Sequence, residues 1–402
     1  MVSTTSHRIT YTILSMSLLT VMAGAAVAPA LATMFEHFSD CPKVLVQLIV
    51  SIPAFFIILT NLLFLEISRH FGSRTIALAG LVLYVASGVC CFFATGIGVL
   101  LVMRALLGVS VGLVMPLSTG LLAYYYPPEQ QARLMGLSAA MNQIGGVTAT
   151  LLAGILCTVG WNYSFLVYSL GLIAVVLVAL FLPDERLGSS NKRGVPFAPK
   201  QLLKFHPSVV GMVLLMTIFF VFVTNFAITA SHDGKFSAVE ITLIMVGTDV
   251  VATFVGLFFG KMMRHIPHVM KYLAPAFFIM GFSLYCASDS TAFVLAGSAC
   301  IGMGNGVGIP YLNTIASIKG GRNSATTVMP LLSAALYLGQ FVSPLLVSPV
   351  AKLLGDNGYD ETVAPYKVAD DADARGASLE TAERALELGT EEIGRASCRE
   401  RV

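Results

Sequence analysis

Eleven stretches of this chain are each long and apolar enough to cross a bilayer, and no other feature constrains its folding as strongly. A spanning helix needs about 20 mostly apolar residues. The runs lie at 9–34, 43–65, 75–95, 98–123, 134–158, 163–182, 207–230, 238–260, 271–287, 291–315 and 325–354. Short segments with Gly, Pro, Ser and charge separate them, as expected of loops. Of the 402 residues, 56% are hydrophobic and 11% are charged. A soluble domain is roughly 25% charged. A soluble fold has too little polar surface here to clothe so much apolar material. A cytosolic enzyme, a disordered chain and a nucleic-acid binder are thereby excluded. The fold class read from this pattern is an all-α polytopic membrane protein.

Charge is distributed unevenly. Residues 1–355 carry 18 Lys/Arg and 10 Asp/Glu, whereas residues 356–402 carry 6 and 12. The overall net charge of +2 therefore averages a basic body and an acidic tail. Basic residues in short loops mark the cytoplasmic side. With the N-terminus in the cytoplasm, the inside loops hold Arg8, Arg69, Arg74, Arg133, Arg186, Lys192, Arg193, Lys200, Lys204, Lys261, Arg264, Lys271, Lys319 and Arg322. The outside loops up to Arg322 hold only Lys43 and Lys235. This bias predicts a cytoplasmic N-terminus and supports the number of spans. The first run is expected to be retained as a span, not removed as a signal peptide, because further apolar segments follow.

The two halves of the chain repeat each other. Leu137-Ser138-Ala139-Ala140 in span 5 recurs as Leu332-Ser333-Ala334-Ala335 in span 11, 195 residues later. Gly108, Gly112 and Pro116 in span 4 recur as Gly302, Gly306 and Pro310 in span 10, 194 residues later. After span 2, Arg69-His70-Phe71-Gly72 has a counterpart after span 8 in Arg264-His265-Ile266-Pro267. Three matches in one register imply two six-helix halves of the same orientation, related by an axis along the membrane normal. The expected domains are 1–183 with spans 1–6, a cytoplasmic linker at 184–206, 207–355 with spans 7–11, and an acidic polar tail at 356–402. The repeat places a twelfth span near 358–377, where Asp360, Glu361, Asp370, Asp371 and Asp373 forbid one. A twelfth helix is thus expected to be missing. The final residues, Glu392 to Val402, resemble adapter-derived sequence, and residues after about Ala369 are expected to be foreign to the fold or a frameshifted remnant.

At these residues the chain resembles the major facilitator superfamily over 9–354, and within it the drug:proton antiporter-like branch. That family carries a motif of form G-x-x-x-D-R-x-G-R-R after helix 2. Leu65 to Arg74 stands in its place; Gly72 and Arg74 match, while Arg69 occupies the acidic position. Leu100, Arg104, Gly108 and Gly112 fit the helix 4 motif. The antiporter motif of helix 5 is partly present, with Gly136 and Gly145 at its spacing but Ala149-Thr150 in place of Gly-Pro. The resemblance implies a fold of two six-helix halves and transport by alternating access. It also makes Arg69, Gly72, Arg74 and Arg264 a gating-loop motif.

Ionisable residues inside a span are costly and are functional candidates by default. Asp249 lies near the middle of span 8 with no Lys or Arg within two turns of it in that span. A midplane carboxyl able to bind and release a proton is what a proton-coupled carrier needs, and Asp249 is the expected proton carrier. The alternative is a protonated Asp that hydrogen-bonds a neighbouring helix. Arg104, near the start of span 4, is permanently charged. The resemblance implies that it influences the proton carrier; the alternative is a structural arginine bonded to backbone carbonyls, or one that snorkels outward. Amides and phenols within spans supply a candidate substrate cavity: Asn142, Gln143, Asn225, Asn305, Tyr311, Asn313, Tyr337 and Gln340. Such a lining suits a neutral or amphipathic organic solute. For any one of them, interhelical hydrogen bonding is the competing role.

Other motifs carry no chemistry. Gly108-Val109-Ser110-Val111-Gly112 matches a nucleophile elbow, but that chemistry needs a strand–turn–helix context. No Walker motif is present, so ATP does not drive this chain directly. The seven cysteines include no CxxC and no Cys/His cluster, so neither a metal nor a cofactor is expected. Gly256 and Gly260 are a small-xxx-small pair suited to close helix packing. The expected function is proton-coupled export of a drug-like or metabolic solute by a monomer in the cell membrane, not an enzymatic reaction. Uptake of a sugar or similar metabolite, and a non-transporting receptor or truncated remnant, are the alternatives.

Overall fold

In lipid every backbone N–H and C=O must be satisfied within the protein, so each apolar run has to close its own helical ladder. The computed structural model describes residues 2–27, 30, 33–34, 37–38, 41, 43–187, 205–232, 238–288, 290–321 and 324–353. The described residues form eleven spanning helices and no strand. They are α1 (Val2–Ala25), α2 (Lys43–His70), α3 (Ser73–Cys90, continued by a 3-10 turn at Cys91–Phe93), α4 (Ile97–Tyr125) and α5 (Pro128–Cys157). Next come α6 (a 3-10 stretch at Trp161–Leu170 running into α-helix at Gly171–Phe181), α7 (His206–His232), α8 (Ala238–His265), α9 (Met270–Ala287), α10 (Thr291–Gly320) and α11 (Ser324–Leu353). Residues up to Ser343 belong to one compact unit; from Pro344 onward, only the end of α11 is described. Residues 188–204 of the linker, the acidic tail and its expected segments, Lys235 and Arg322 lie outside the described residues.

The apolar runs locate the helices but not their ends. Span 1 is read from sequence as reaching Met34, yet α1 stops at Ala25, where Ala26 N–H turns back to Met22 O (3.1 Å) and Val27 N–H to Gly24 O (3.3 Å). Pro29 lacks the N–H that would continue the ladder. Elsewhere helices outrun their apolar cores: α5 begins at Pro128, a favoured first-turn proline, and α10 continues to Gly320. Hydropathy marks what lipid requires, whereas backbone hydrogen bonding extends into the polar ends.

The internal repeat is present as packing. A Cβ added to Gly108 of α4 would lie 2.5 Å from Pro53 O of α2. At its counterpart, Gly302 of α10, the added atom would strike Thr248 O of α8. Gly112 approaches Ile57 O and Thr60, as Gly306 approaches Ala252 O and Val255. Gly145 of α5 abuts Leu18 O of α1, as Gly339 of α11 abuts Val213 O of α7. Each pair is related by 194 or 195 residues on both partners. The small-residue spacing seen in sequence is therefore close helix–helix approach, and the two halves are built alike.

The halves differ where α6 has no described counterpart. Gly88 and Val85 of α3 lie against Tyr168 and Gly171 of α6. The corresponding face of α9 holds Phe282 and Ile279, which line a groove of about 1050 Å³ between α7, α9 and α10. This apolar groove, with Leu214, Ile218 and Phe278 along it, occupies the place that α6 fills in the first half. It agrees with eleven spanning helices among the described residues.

Candidate functional site

Two polar clusters interrupt the apolar interior. The first is centred on Arg104, whose side chain is fully buried. A buried guanidinium needs acceptors, because burying an unpaired charge is expensive. Two are backbone carbonyls made available by local sequence. Pro53 within α2 cannot donate to residue 49, so Ile49 O is left free; it accepts from Arg104 Nε at 2.8 Å. Ala23 lies in the last turn of α1, where carbonyls lack helical partners. Ala23 O accepts from Arg104 Nη1 at 2.9 Å and from the Tyr168 hydroxyl at 2.8 Å. Arg104 Nη1 also donates to Tyr168 Oη at 2.8 Å. Tyr84 packs edge-on to Tyr168, with centroids 5.5 Å apart, and donates to Leu19 O at 3.1 Å. Arg104 Nη2 has no hydrogen-bond partner among the described residues. The guanidinium thus joins α1, α2 and α6 to α4 within the protein interior.

The second cluster lies where α5 meets both halves. Residues 138, 142 and 145 share one face of α5, and residues 136, 140 and 143 share another, by i, i+4, i+7 spacing. On the first face Ser138 bonds Ser17 at 2.8 Å, and Asn142 Oδ1 accepts from Thr20 Oγ1 at 3.0 Å. The second face meets α8. A Cβ on Gly136 would lie 2.5 Å from Gly256 O, and one on Gly260 would lie 2.6 Å from the Arg133 Cα. Beyond these glycines Gln143 Nε2 donates to Asp249 Oδ1 at 3.2 Å. The carboxyl of α8 is therefore held by an amide of the opposite half. No ion pair among the described residues involves Asp249, and no hydrogen bond joins it to Arg104.

At its basic end α5 makes a further junction. Gln131, almost fully buried, donates from Nε2 to Ala123 O at 3.1 Å and to Tyr126 O at 2.8 Å. Its Oε1 accepts from Ser317 Oγ of α10 at 2.5 Å. The loop between α2 and α3 is tied to the end of α6. A Cβ on Gly72 would strike the Asp184 carboxyl, Ser73 N–H donates to Glu185 O at 2.8 Å, and Arg74 donates to Ala179 O. Arg69 pairs with Glu66 of its own helix at 2.6 Å, on the surface. Arg264 is exposed at the end of α8.

The structure brings Gln143 and Asp249 together but sets Arg104 in a separate cluster. Asn142 is occupied by Thr20. Asn305 is buried on α10, with Oδ1 unpartnered among the described residues. Tyr311 lines the lateral groove beside α9. Asn313, Tyr337 and Gln340 are partly buried. The side chain of Asn225 lies outside the described residues. Sequence reading missed Tyr168, Tyr84, Gln131 and Asp184. Pro53 was the available signal for Ile49 O, since a proline inside a span implies a free carbonyl four residues earlier. No group of three or more His, Cys, Asp or Glu capable of holding a metal occurs among the described residues.

The family model described as Major Facilitator Superfamily matches residues 13–344. Quinolone resistance protein NorA of Staphylococcus aureus (strain MRSA252) is 25% identical over 309 residues, covering 71% of this chain and 78% of that protein. An uncharacterized transporter of Escherichia coli (strain K12), YebQ, is 29% identical over 152 residues, covering 37% of this chain and 33% of its own. Among solved structures, the human organic anion transporter MFSD10 (TETRAN) superposes with a TM-score of 0.75 at 14% identity, covering 90% of this chain and 96% of that one. The proton:xylose symporter XylE superposes with a TM-score of 0.69 at 14% identity, covering 90% and 92%. At these identities the two structures bear on the fold alone.

Proposed function

The chain belongs to the Major Facilitator Superfamily and is a multi-pass membrane transporter of small solutes; on that premise we propose that it exports a drug-like or metabolic organic solute by alternating access, driven by protons. The observation that carries the reading is the Gln143–Asp249 hydrogen bond across the seam between the halves. An intramembrane carboxyl marks an ion or substrate pathway by default. Here it sits where the halves meet, and its carboxyl accepts from a neutral amide, with no ion pair among the described residues. In the proposed cycle Asp249 takes a proton when the seam is open to one water phase and gives it up to the other after the halves rock. Asn142, Gln143, Asn305, Asn313, Tyr337 and Gln340 are the proposed solute contacts, with Arg104 a supporting fixed charge. Export is supported by the likeness to a protein named for quinolone resistance. The proposed setting is the cell membrane, with the N-terminus in the cytoplasm and the chain acting as a monomer.

Purified full chain in proteoliposomes, with a fluorescent fluoroquinolone as the probe and an imposed pH gradient, tests this. Gradient-driven fluoroquinolone movement supports export. Gradient-driven movement of a simple sugar instead supports uptake of a metabolite. No movement of either, with intact folded protein, overturns the reading in favour of a non-transporting chain.

A further inference from the structure

We infer that Gln131 and Ser317 are gating residues, a hydrogen-bonded latch that holds the basic ends of the two halves together in the conformation described. Gln131 stands four residues into α5, where Pro127 and Pro128 turn the chain back from α4. Both of its amide donor contacts go to carbonyls at the end of α4, Ala123 O and Tyr126 O. Carbonyls at a helix end lack helical N–H partners and must be met by something else. With Nε2 committed there, the orientation of the amide is fixed and Oε1 points away from α4. It receives Ser317 Oγ–H at 2.5 Å, from the last turn of α10 in the opposite half. Ser317 is fully buried and Gln131 nearly so. A buried amide whose donors and acceptor are all engaged across three helices is a specific joint, because each group left unpaired on opening needs water in exchange.

The surrounding contacts make the joint a gate. From Gln131 inward, Arg133 lies against Gly260 and Gly136 against Gly256, so α5 and α8 touch backbone to backbone along the same end. Along this end α5 is closed against both α8 and α10 of the opposite half. Opening it requires that Gln131 and Ser317 separate. The internal repeat does not provide a second copy of this joint: in the register that pairs Gly108 with Gly302, Ser317 corresponds to Ala123, which carries no polar side chain. The latch is therefore a feature of one interface between the halves and biases one direction of rocking. The inference does not depend on protons or on the solute.

The test measures the separation of the two halves directly. In the full chain reconstituted in nanodiscs, with native cysteines replaced, the exposed residues Glu129 and Lys319 are changed to Cys and spin-labelled. Inter-label distances are compared for the parent, Gln131→Ala, Ser317→Ala and the double variant. Ser317→Ala removes only a hydroxyl and leaves the end of α4 intact, so it retains the fold where Gln131→Ala weakens it. The expected result is a population shift from short to long distances of severalfold in each single variant. The double variant should be no more open than the more open single, as partners in one bond are non-additive. An unchanged distribution in Ser317→Ala, or fully additive shifts in the double variant, overturns the latch.

Discussion

Arg104 donates to Ile49 O at 2.8 Å, the carbonyl that Pro53 deprives of its helical partner. One residue's missing N–H on α2 is thus supplied by a guanidinium from α4. The same guanidinium closes the end of α1 through Ala23 O. A permanent charge in the interior is accommodated because the backbone of two helices is locally short of donors.

Replacing Arg104 should therefore act first on stability. Arg104→Leu leaves Ile49 O without its donor and deprives Ala23 O of one of two. Leaving a buried polar group unsatisfied costs about 1–3 kcal/mol. A lowered thermal midpoint of detergent-solubilised protein is expected. Arg104→Lys should recover only part of the loss, since a point charge lacks the planar fork that serves three acceptors. A midpoint unchanged in Arg104→Leu contradicts this assignment.

Equivalent positions in the two halves should respond alike. Gly145→Ala drives a methyl onto Leu18 O, and Gly339→Ala drives one toward Val213 O at 2.6 Å. Both substitutions force helix axes apart, and overpacking of this kind costs about 1–3 kcal/mol. Paired losses in yield and thermal stability are expected. Gly247→Ala, where an added Cβ meets nothing within 4 Å, serves as the neutral control.

Topology is open to direct labelling. The excess of basic residues at one end predicts that a cysteine replacing exposed Arg264 reacts with an impermeant maleimide only after the cells are opened. A cysteine replacing Val159, exposed at the opposite end between α5 and α6, should react in intact cells. The reverse pattern would invert the proposed orientation.

Much of this fold was legible because lipid imposes a coarse rule that sequence obeys openly. The apolar runs find all eleven helices, and Gly108, Gly112, Gly302 and Gly306 reveal the repeat through their spacing alone. The polar clusters were less legible. Asp249 is conspicuous because a carboxylate is rare in a span, yet its partner Gln143 is one of several amides and only the packing of α5 on α8 selects it. Gln131 sits near a helix start where polar residues are ordinary, so its burial could not be read. Tyr311 was grouped with cavity residues by type, whereas the structure turns it to the groove beside α9. The end of α1 was overestimated because hydropathy continues past Ala25 although the helix does not.

Proton coupling in the proposed cycle rests on the carboxyl at the seam. The most direct measurement is solute-coupled proton flux in proteoliposomes made with the parent and with Asp249→Asn, alongside equilibrium exchange of the same fluorescent fluoroquinolone. Asn keeps a polar side chain facing Gln143 but cannot bind and release a proton. Asp249→Asn is expected to abolish gradient-driven movement and the associated proton flux while exchange at equal pH continues. Retained proton flux with unchanged pH dependence in Asp249→Asn would contradict it and return Asp249 to a purely structural role.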